Sequence, residues 1–387
     1  MTSVKTCDWF QADATQTVIE MFKAAGQSAY FVGGCIRNSL MGVPVTDLDI
    51  STPMPPEDVM SLAKSVGLKS IPTGIEHGTV TVVAGGEPFE ITTFRRDVAT
   101  DGRHAVVAFA DNLEDDACRR DFTMNALYAD LDGAVLDPLG GMSDLMTRKV
   151  RFIGAPQDRI REDYLRILRF FRFHAVYGDD DAGLDADALA GCAKNLDGLN
   201  GLSKERVGSE IVKLLSARDP STAIGAMDAT GVLQAILPGA SGRSLYPYVS
   251  QEFHIDPMAR LAALGGKDAG PLLKLSKKQF VRLEKFKAAM GFGRTIEVIA
   301  FEEGADIAFC IAALRAAVFE QPLHLDIEAQ ILAASKQVFP VKAQDLMPDY
   351  TGAELGGALK MLQRAWLESG FALTKAKLMQ ILETKST

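Results

Sequence analysis

The apolar positions along this chain change period several times, and each change marks an element. Phe10, Ala14, Val18, Met21, Phe22 and Ala25 recur at helical spacing across 8–25, with Gly26 where a C-terminal cap belongs. That spacing predicts one helix. Tyr30, Phe31 and Val32 read as a short buried strand that stops at Gly33-Gly34. A short helix then runs to Gly42 and Pro44, which end it. A second strand is predicted through Asp47 and Asp49. Pro55-Pro56-Glu57-Asp58 opens another helix, which closes near Gly67. Residues 79–84 and 89–93 flank Gly85-Gly86 and predict a β-hairpin. Residues 95–111 are polar and glycine-bearing, and predict a loop, either a mobile lid or plain surface.

Near residue 150 the texture turns from strands to helices. The run Arg161-Glu162-Asp163-Tyr164-Leu165-Arg166-Ile167-Leu168-Arg169-Phe170-Phe171-Arg172 predicts one helix, with positions 163, 166 and 169 on neighbouring turns of one face. The plain reading of Asp163 and Arg166 there is an intrahelical salt bridge. Residues 204–215 form an amphipathic helix by pattern. Residues 274–294 carry Lys274, Lys277, Lys278, Arg282, Lys285, Lys287 and Arg294 against Glu284 alone, and the last helix adds Lys375, Lys377 and Lys385. Such faces either track a phosphate backbone or are simply solvated. The pattern implies an α+β chain. A mixed-sheet head spans 1–150, a helical neck 151–215, and a helical body and tail 216–387.

Length and composition narrow the class. A chain of 387 residues has room for two or more domains. Its formal net charge of −9 argues against a protein coated overall with nucleic acid, but not against local basic patches. Cys7, Cys35, Cys118, Cys192 and Cys310 are scattered without a CxxC, which fits a reducing compartment and no zinc site. No secretory signal opens the chain and no apolar run reaches about 18 residues. A cytoplasmic protein with no membrane span is therefore expected.

The candidate chemistry concentrates in the head. Gly33-Gly34 lets the backbone turn tightly and uncovers main-chain N–H groups, a cradle for phosphate, with Arg37 one helical turn later. Asp47 and Asp49, two apart on a strand, would face one way. Two such charges call for a cation between them. The hard, oxygen-seeking ion that bridges carboxylates and substrate phosphates is usually Mg²⁺. Glu90 is either a third carboxylate on that face or a solvated strand residue, depending on register. In Arg119-Arg120-Asp121-Phe122-Thr123-Met124-Asn125, Asp121 can cap a short helix and Asn125 lies one turn on. Arg120 suits a polyphosphate, though taken alone the block reads more simply as a capped surface helix with solvated arginines.

Taken together, these blocks resemble the class II tRNA nucleotidyltransferases and the closely similar bacterial poly(A) polymerases. The shared blocks are Gly33-Gly34-x-x-Arg37, Asp47-x-Asp49, Arg119 to Ala126, Asp137-Pro138 with Gly141 and Asp144, and Glu162-Asp163-x-x-Arg166-x-x-Arg169. Their order and spacing match over roughly residues 30–215. The resemblance implies a polymerase-β-like nucleotidyltransferase head followed by helical neck, body and tail. It implies that Asp47 and Asp49 hold the metal ions. Gly34 and Arg37 would contact the triphosphate, Arg120, Asp121 and Asn125 the ribose and phosphates, and Arg169 and Arg172 the nucleotide from the neck. Asp163 and Arg166 would choose the base. Arg166 can donate to N3 of cytosine or N1 of adenine while Asp163 accepts from the exocyclic amine. Uracil and guanine present the reverse polarity and would leave buried groups unpaired.

Two positions depart from the family pattern. Asn38 stands where an aspartate usually follows the motif arginine, and Ala105 where a proline often follows Asp-Gly-Arg-His. Neither is a proposed metal ligand. The chain has no His-Asp doublet, hence no sign of the phosphohydrolase domain of some relatives, and no GxxxxGK[ST]. The resemblance implies template-independent addition of CCA to tRNA from CTP and ATP, and the basic face that carries Lys278, Arg282 and Lys285 is expected to grip the tRNA backbone. Poly(A) polymerase and a partial, CC- or A-adding enzyme are the alternatives within the family. A catalytically silent RNA-binding protein is the alternative outside it.

Overall fold

The computed structural model describes residues 2–385 apart from Gly102, Arg103 and Phe292, and apart from the side chains of 96–108 and 383–385. Contacts divide the chain into two compact units, residues 1–240 with 266–274, and residues 241–265 with 275–387. The change of texture near residue 150 falls inside the first.

The first unit is built on nine strands: β1 (Tyr30–Val32), β2 (Asp49–Thr52), β3 (Lys69–Gly74), β4 (Thr79–Ala84), β5 (Glu87–Thr93), β6 (Arg95–Asp101), β7 (His104–Phe109), β8 (Tyr128–Ala129) and β9 (Val135–Leu136). Seven make one mixed sheet in the order β3-β4-β5-β2-β1-β8-β9. Strand β2 runs parallel to β5 and antiparallel to β1. The alternation in β5 is clean: Phe89 and Ile91 are buried and Glu90 is exposed. One face of the strand therefore feeds the core and the other stays open. Val18, Ile19, Met21 and Phe22 of the first long helix complete that core with Phe31, Ile50, Val80 and Val82.

Helices in this unit are α1 (Asp8–Gln11), α2 (Asp13–Ala24), α3 (Gly34–Met41), α4 (Pro56–Ser65), α5 (Leu113–Cys118), α6 (Gly141–Met146), α7 (Pro156–Glu162), α8 (Leu165–Tyr177), α9 (Ala186–Lys194), α10 (Lys204–Leu215), α11 (Ser221–Ala229) and α12 (Val232–Ile236). Four sequence expectations change. The helix over 8–25 is two helices, because Ala12 is extended at ψ 139°. Asp47 lies in the connection before β2, not on it. The loop over 95–111 is largely a two-stranded antiparallel hairpin of β6 and β7. Its apolar run at 105–109 favours a strand, while its tip at Gly102 and Arg103 lies outside the described residues. The helix over 161–172 breaks between α7 and α8. There Asp163 is extended (φ −151°, ψ 106°), and its Oδ1 accepts from Leu165 N at 3.0 Å. A side chain that bonds its own backbone competes with helix continuation.

Helix α8 joins the helical part to the sheet. Phe170 and Phe173 meet Phe122 and Phe152 of the head, with Phe122 and Phe173 centroids 4.7 Å apart. Burying four aromatic rings together is a large apolar gain. It fixes the position of Arg169 and Arg172, whose guanidinium groups lie 5.3 and 4.7 Å from the Phe173 ring centroid. Among the described residues, the regular elements of the second unit are all helices. The unit closes on Val341, Leu346, Leu362, Trp366, Leu378 and Leu382, packed as one apolar cluster.

Candidate active site

The β2–β5 pairing puts Asp49 directly beside Glu90. Asp47, Asp49 and Glu90 line one cavity of about 660 Å³. Asp47 reaches it from the connection before β2, where Thr46 Oγ1 donates to its Oδ2 at 3.0 Å. Burial pushes the Asp49 carboxyl above its usual range, and the Glu90 and Asp47 charges push it further, against the opposing pull of Arg120. Three carboxylates grouped on one cavity fit a hard divalent cation, which would relieve their repulsion. Glu90 thus joins the carboxylate group through register, which periodicity alone leaves open.

Beside the carboxylates, Gly33 ends β1 at φ +70°, a value that side chains rarely adopt, and its backbone leads into α3 at Gly34. A Cβ on Gly33 would also stand 3.4 Å from Arg120 Nη1. One turn into α3, Arg37 is buried. Its Nη1 donates to Asn125 Oδ1, its Nη2 to Tyr177 OH at 2.7 Å, and its guanidinium lies 4.0 Å from the Tyr177 ring centroid. Burial lowers its pKa. Asn125 Nδ2 in turn donates to Asp121 Oδ1 at 3.1 Å, and Arg169 Nε to Asp121 Oδ2 at 2.7 Å. Arg169 and Arg172 both meet Glu210 of α10. One polar chain therefore ties Arg37, Asn125, Asp121, Arg169 and Arg172 together, from α3 of the head to α8 and α10. Burial alone would raise the Asp121 carboxyl, but Arg169 and the bonds from Asn125 and Phe122 N–H hold it below the usual range.

Arg120 stands apart from that chain. It donates to Tyr128 OH at 2.9 Å, Ser51 Oγ at 3.2 Å and Asp116 Oδ2 at 3.0 Å. Asp116 is fully buried. Burial opposes its ionisation, yet Arg120, Arg119 and the Tyr128 hydroxyl hold its pKa down at about 2. The sequence reading missed Asp116. Its only signal was the three- and four-residue spacing to Arg119 and Arg120.

Asp163 and Arg166 do not form the intrahelical bridge that the single-helix reading allowed. Asp163 Oδ2 accepts from Arg206 at 2.6 Å, while Arg166 Nη1 donates to Glu162 Oε2 at 2.5 Å and to Arg159 O at 2.8 Å. Arg166 Nη2 adds a bond to Arg119 O at 3.1 Å. Both side chains are thus held in place by other residues. Tyr164 between them lies against Gly198, where a Cβ would fall 2.0 Å from its ring.

In the second unit much of the basic run is paired with carboxylates from other segments. Lys278 is exposed. Arg282 instead pairs with Asp256 and Asp306, Lys285 with Glu303 at 2.6 Å, and Arg294 with Glu302 at 2.9 Å. A sequence count of charges cannot see partners brought in from other helices. Among the described residues, one trio of His, Cys, Asp or Glu brings its ligand atoms within 4.8 Å of one another: His254, Asp256 and Cys310. Burial pushes the Cys310 thiol up to about 12, and Asp256 already caps the Pro257–Leu264 helix and binds Arg282. That trio is a structural cluster. No described helix is long and apolar enough to cross a membrane.

Comparison with known proteins agrees with this geometry. Residues 29–151 match the poly A polymerase head domain, and residues 183–242 match the probable RNA and SrmB-binding site of polymerase A. The CCA tRNA nucleotidyltransferase 1, mitochondrial, of Mus musculus is 30% identical over 400 residues, covering 96% of this chain and 90% of its own. The CCA-adding enzyme of Streptococcus gordonii is 33% identical over 376 residues, covering 90% and 91%. The crystal structure of the Bacillus stearothermophilus CCA-adding enzyme in complex with CTP superposes with a TM-score of 0.75 at 30% identity, covering 97% of this chain and 98% of that one. Nucleotidyl transfer in this family depends on a divalent metal. With likeness running over nearly the whole of both chains, and the head carboxylates in place, this chain belongs to the CCA tRNA nucleotidyltransferases.

Proposed function

We propose that this chain adds C, C and A to tRNA 3′ ends from CTP and ATP, in the cytoplasm, with Mg²⁺ as its metal. The observation that carries the reading is the polar chain from Arg37 through Asn125 and Asp121 to Arg169. It joins the carboxylate end of the sheet to α8, the helix that carries Arg166. One nucleotide can then be held at its phosphates by the head and at its base by the neck.

Asp47 and Asp49 hold the metal, whose positive charge supplies Lewis-acid polarisation of the phosphoryl oxygens. The Gly34 N–H and Arg37 take triphosphate oxygens. Arg120, Asp121 and Asn125 position ribose and phosphates, and Arg169 and Arg172 hold the nucleotide from α8. Asp163, which as an ionised carboxylate only accepts, selects an exocyclic amine, and Arg166, which only donates, selects an unprotonated ring nitrogen. A pair fixed by the protein needs no nucleic-acid template. The working division is a head over 1–150, a neck over 151–215 and a body and tail over 216–387 that grip tRNA. Of Lys278, Arg282 and Lys285, the exposed Lys278 is the residue most free to meet a phosphate. The test is Asp49→Ala assayed on a truncated tRNA across a Mg²⁺ series. The reading expects no addition at any concentration, with the fold unchanged by circular dichroism.

A further inference from the structure

The cavity that holds Asp47, Asp49 and Glu90 is not lined by the described residues of the phosphate cradle. Its other wall is Trp9, Ala12, Ala14 and Thr15, from α1, α2 and the link between them. Among the described residues, none of Gly34, Arg37, Asn125 or Arg169 lines it, and neither does any lysine or arginine. In-line transfer needs the attacking hydroxyl and the leaving pyrophosphate on opposite sides of the reacting phosphorus. The carboxylates border both regions, so a cavity with the carboxylates but without the triphosphate ligands is the attacking side. Glu87 lies on its rim with Glu90. An acidic lining with no basic residue repels a second triphosphate. It suits a ribose, whose hydroxyls donate to carboxylates.

From these features we infer that this cavity seats the 3′-terminal nucleoside of the tRNA, with Trp9 as the aromatic wall beside it. The inference rests on the transferase reading above. Trp9 is built to stay in place. Its Nε1–H donates to Ser39 Oγ of α3 at 2.7 Å, and its ring meets Phe10 and Phe31 edge-on at centroid distances of 5.5 and 5.1 Å. Thr15 Oγ1 donates to Trp9 O at 2.6 Å, which ties α2 to the same wall. The indole remains partly exposed. A fixed, partly exposed indole on a cavity roomy enough for a nucleoside offers a surface that any base can use, as successive C, C and A ends require.

The chain has two tryptophans, Trp9 and Trp366. Labelling the full chain with 5-fluorotryptophan gives two fluorine resonances, and Trp9→Phe assigns them. The Trp9 resonance is expected to shift when tRNA ending in CC is added, and to stay put with CTP alone. Trp9→Ala is expected to raise KM for that tRNA roughly ten-fold, with KM for CTP unchanged and with Trp9→Phe close to the parent. A Trp9 signal that ignores the tRNA, or a Trp9→Ala defect confined to CTP, overturns the assignment. The Asp49→Ala control separates the two claims. If it keeps its turnover, the transferase site itself is wrong. If it loses turnover while Trp9 is silent towards tRNA, only the seat of the primer end is wrong.

Discussion

Asp163 and Arg206 form an ion pair 2.6 Å long between the α7–α8 junction and α10, 43 residues further along the chain. Asp163, proposed to choose the base, is therefore oriented by a residue of another helix. Asp163→Ala removes the acceptor for the exocyclic amine. Its effect should be a change of preference, with UTP and GTP used more readily relative to CTP and ATP. Single-nucleotide incorporation with each triphosphate in turn measures it. A uniform fall in rate with the preference intact would make Asp163 a structural residue only.

The carboxylate pair predicts a loss of a different kind. Asp49 sits beside Glu90 and is already pushed up by burial and by its acidic neighbours. Asp49→Ala should cost more than ten-fold in turnover, which is above about 1.4 kcal/mol of transition-state stabilisation. Steady-state rates at saturating CTP check this. A variant that retains a tenth or more of the parent rate would contradict the assignment.

Asp116 ties the head together without touching the proposed substrate. It is fully buried and accepts from Arg119, Arg120 and Tyr128. Asp116→Ala leaves Arg120 with an uncompensated charge, and breaking a buried pair in this way costs about 3–5 kcal/mol. The urea midpoint should fall accordingly. Because folding depresses this carboxyl from 3.8 to about 2, its contribution is fully present above the unfolded value and is lost as pH falls through about 2. The gap in stability between parent and Asp116→Ala should therefore narrow on acidification from pH 5 towards that limit. A gap that stays constant would contradict the ionised, paired state.

In the second unit, Arg282 and Lys278 should behave differently. Arg282→Glu places a third carboxylate against Asp256 and Asp306 and should lower the thermal midpoint. Lys278→Glu changes an exposed charge and should leave the midpoint alone while weakening tRNA binding, with a shallower salt dependence. Thermal scans and filter binding on both variants check the pair. Equal loss of stability in the two would contradict the distinction.

Much of the head was legible because its signals are local. Gly33-Gly34, the helix ends at Gly26 and Gly42, and the hairpin around Gly85-Gly86 each depend on a few neighbouring residues. Glu90 was half legible. Its alternation showed that it faced away from Phe89 and Ile91, but only the parallel register with β2 placed it beside Asp49. The paired charges were not legible. Arg282 reads as part of a basic face until Asp256 and Asp306 arrive from other segments, and Arg206 reads as an ordinary helix residue until it meets Asp163. The break at Asp163 escaped the helical pattern because apolar spacing continues through it. The competing bond is a side chain returning to its own backbone.

The most direct measurement of the central claim is product length. A tRNA lacking its terminal CCA is incubated with CTP and ATP, separately and together, and resolved at single-nucleotide length. The account predicts two added residues with CTP alone, three with both, and then arrest, with little extension of an unstructured oligoribonucleotide. Long A tails made from ATP alone on unstructured RNA, at a rate comparable to tRNA repair, would contradict it.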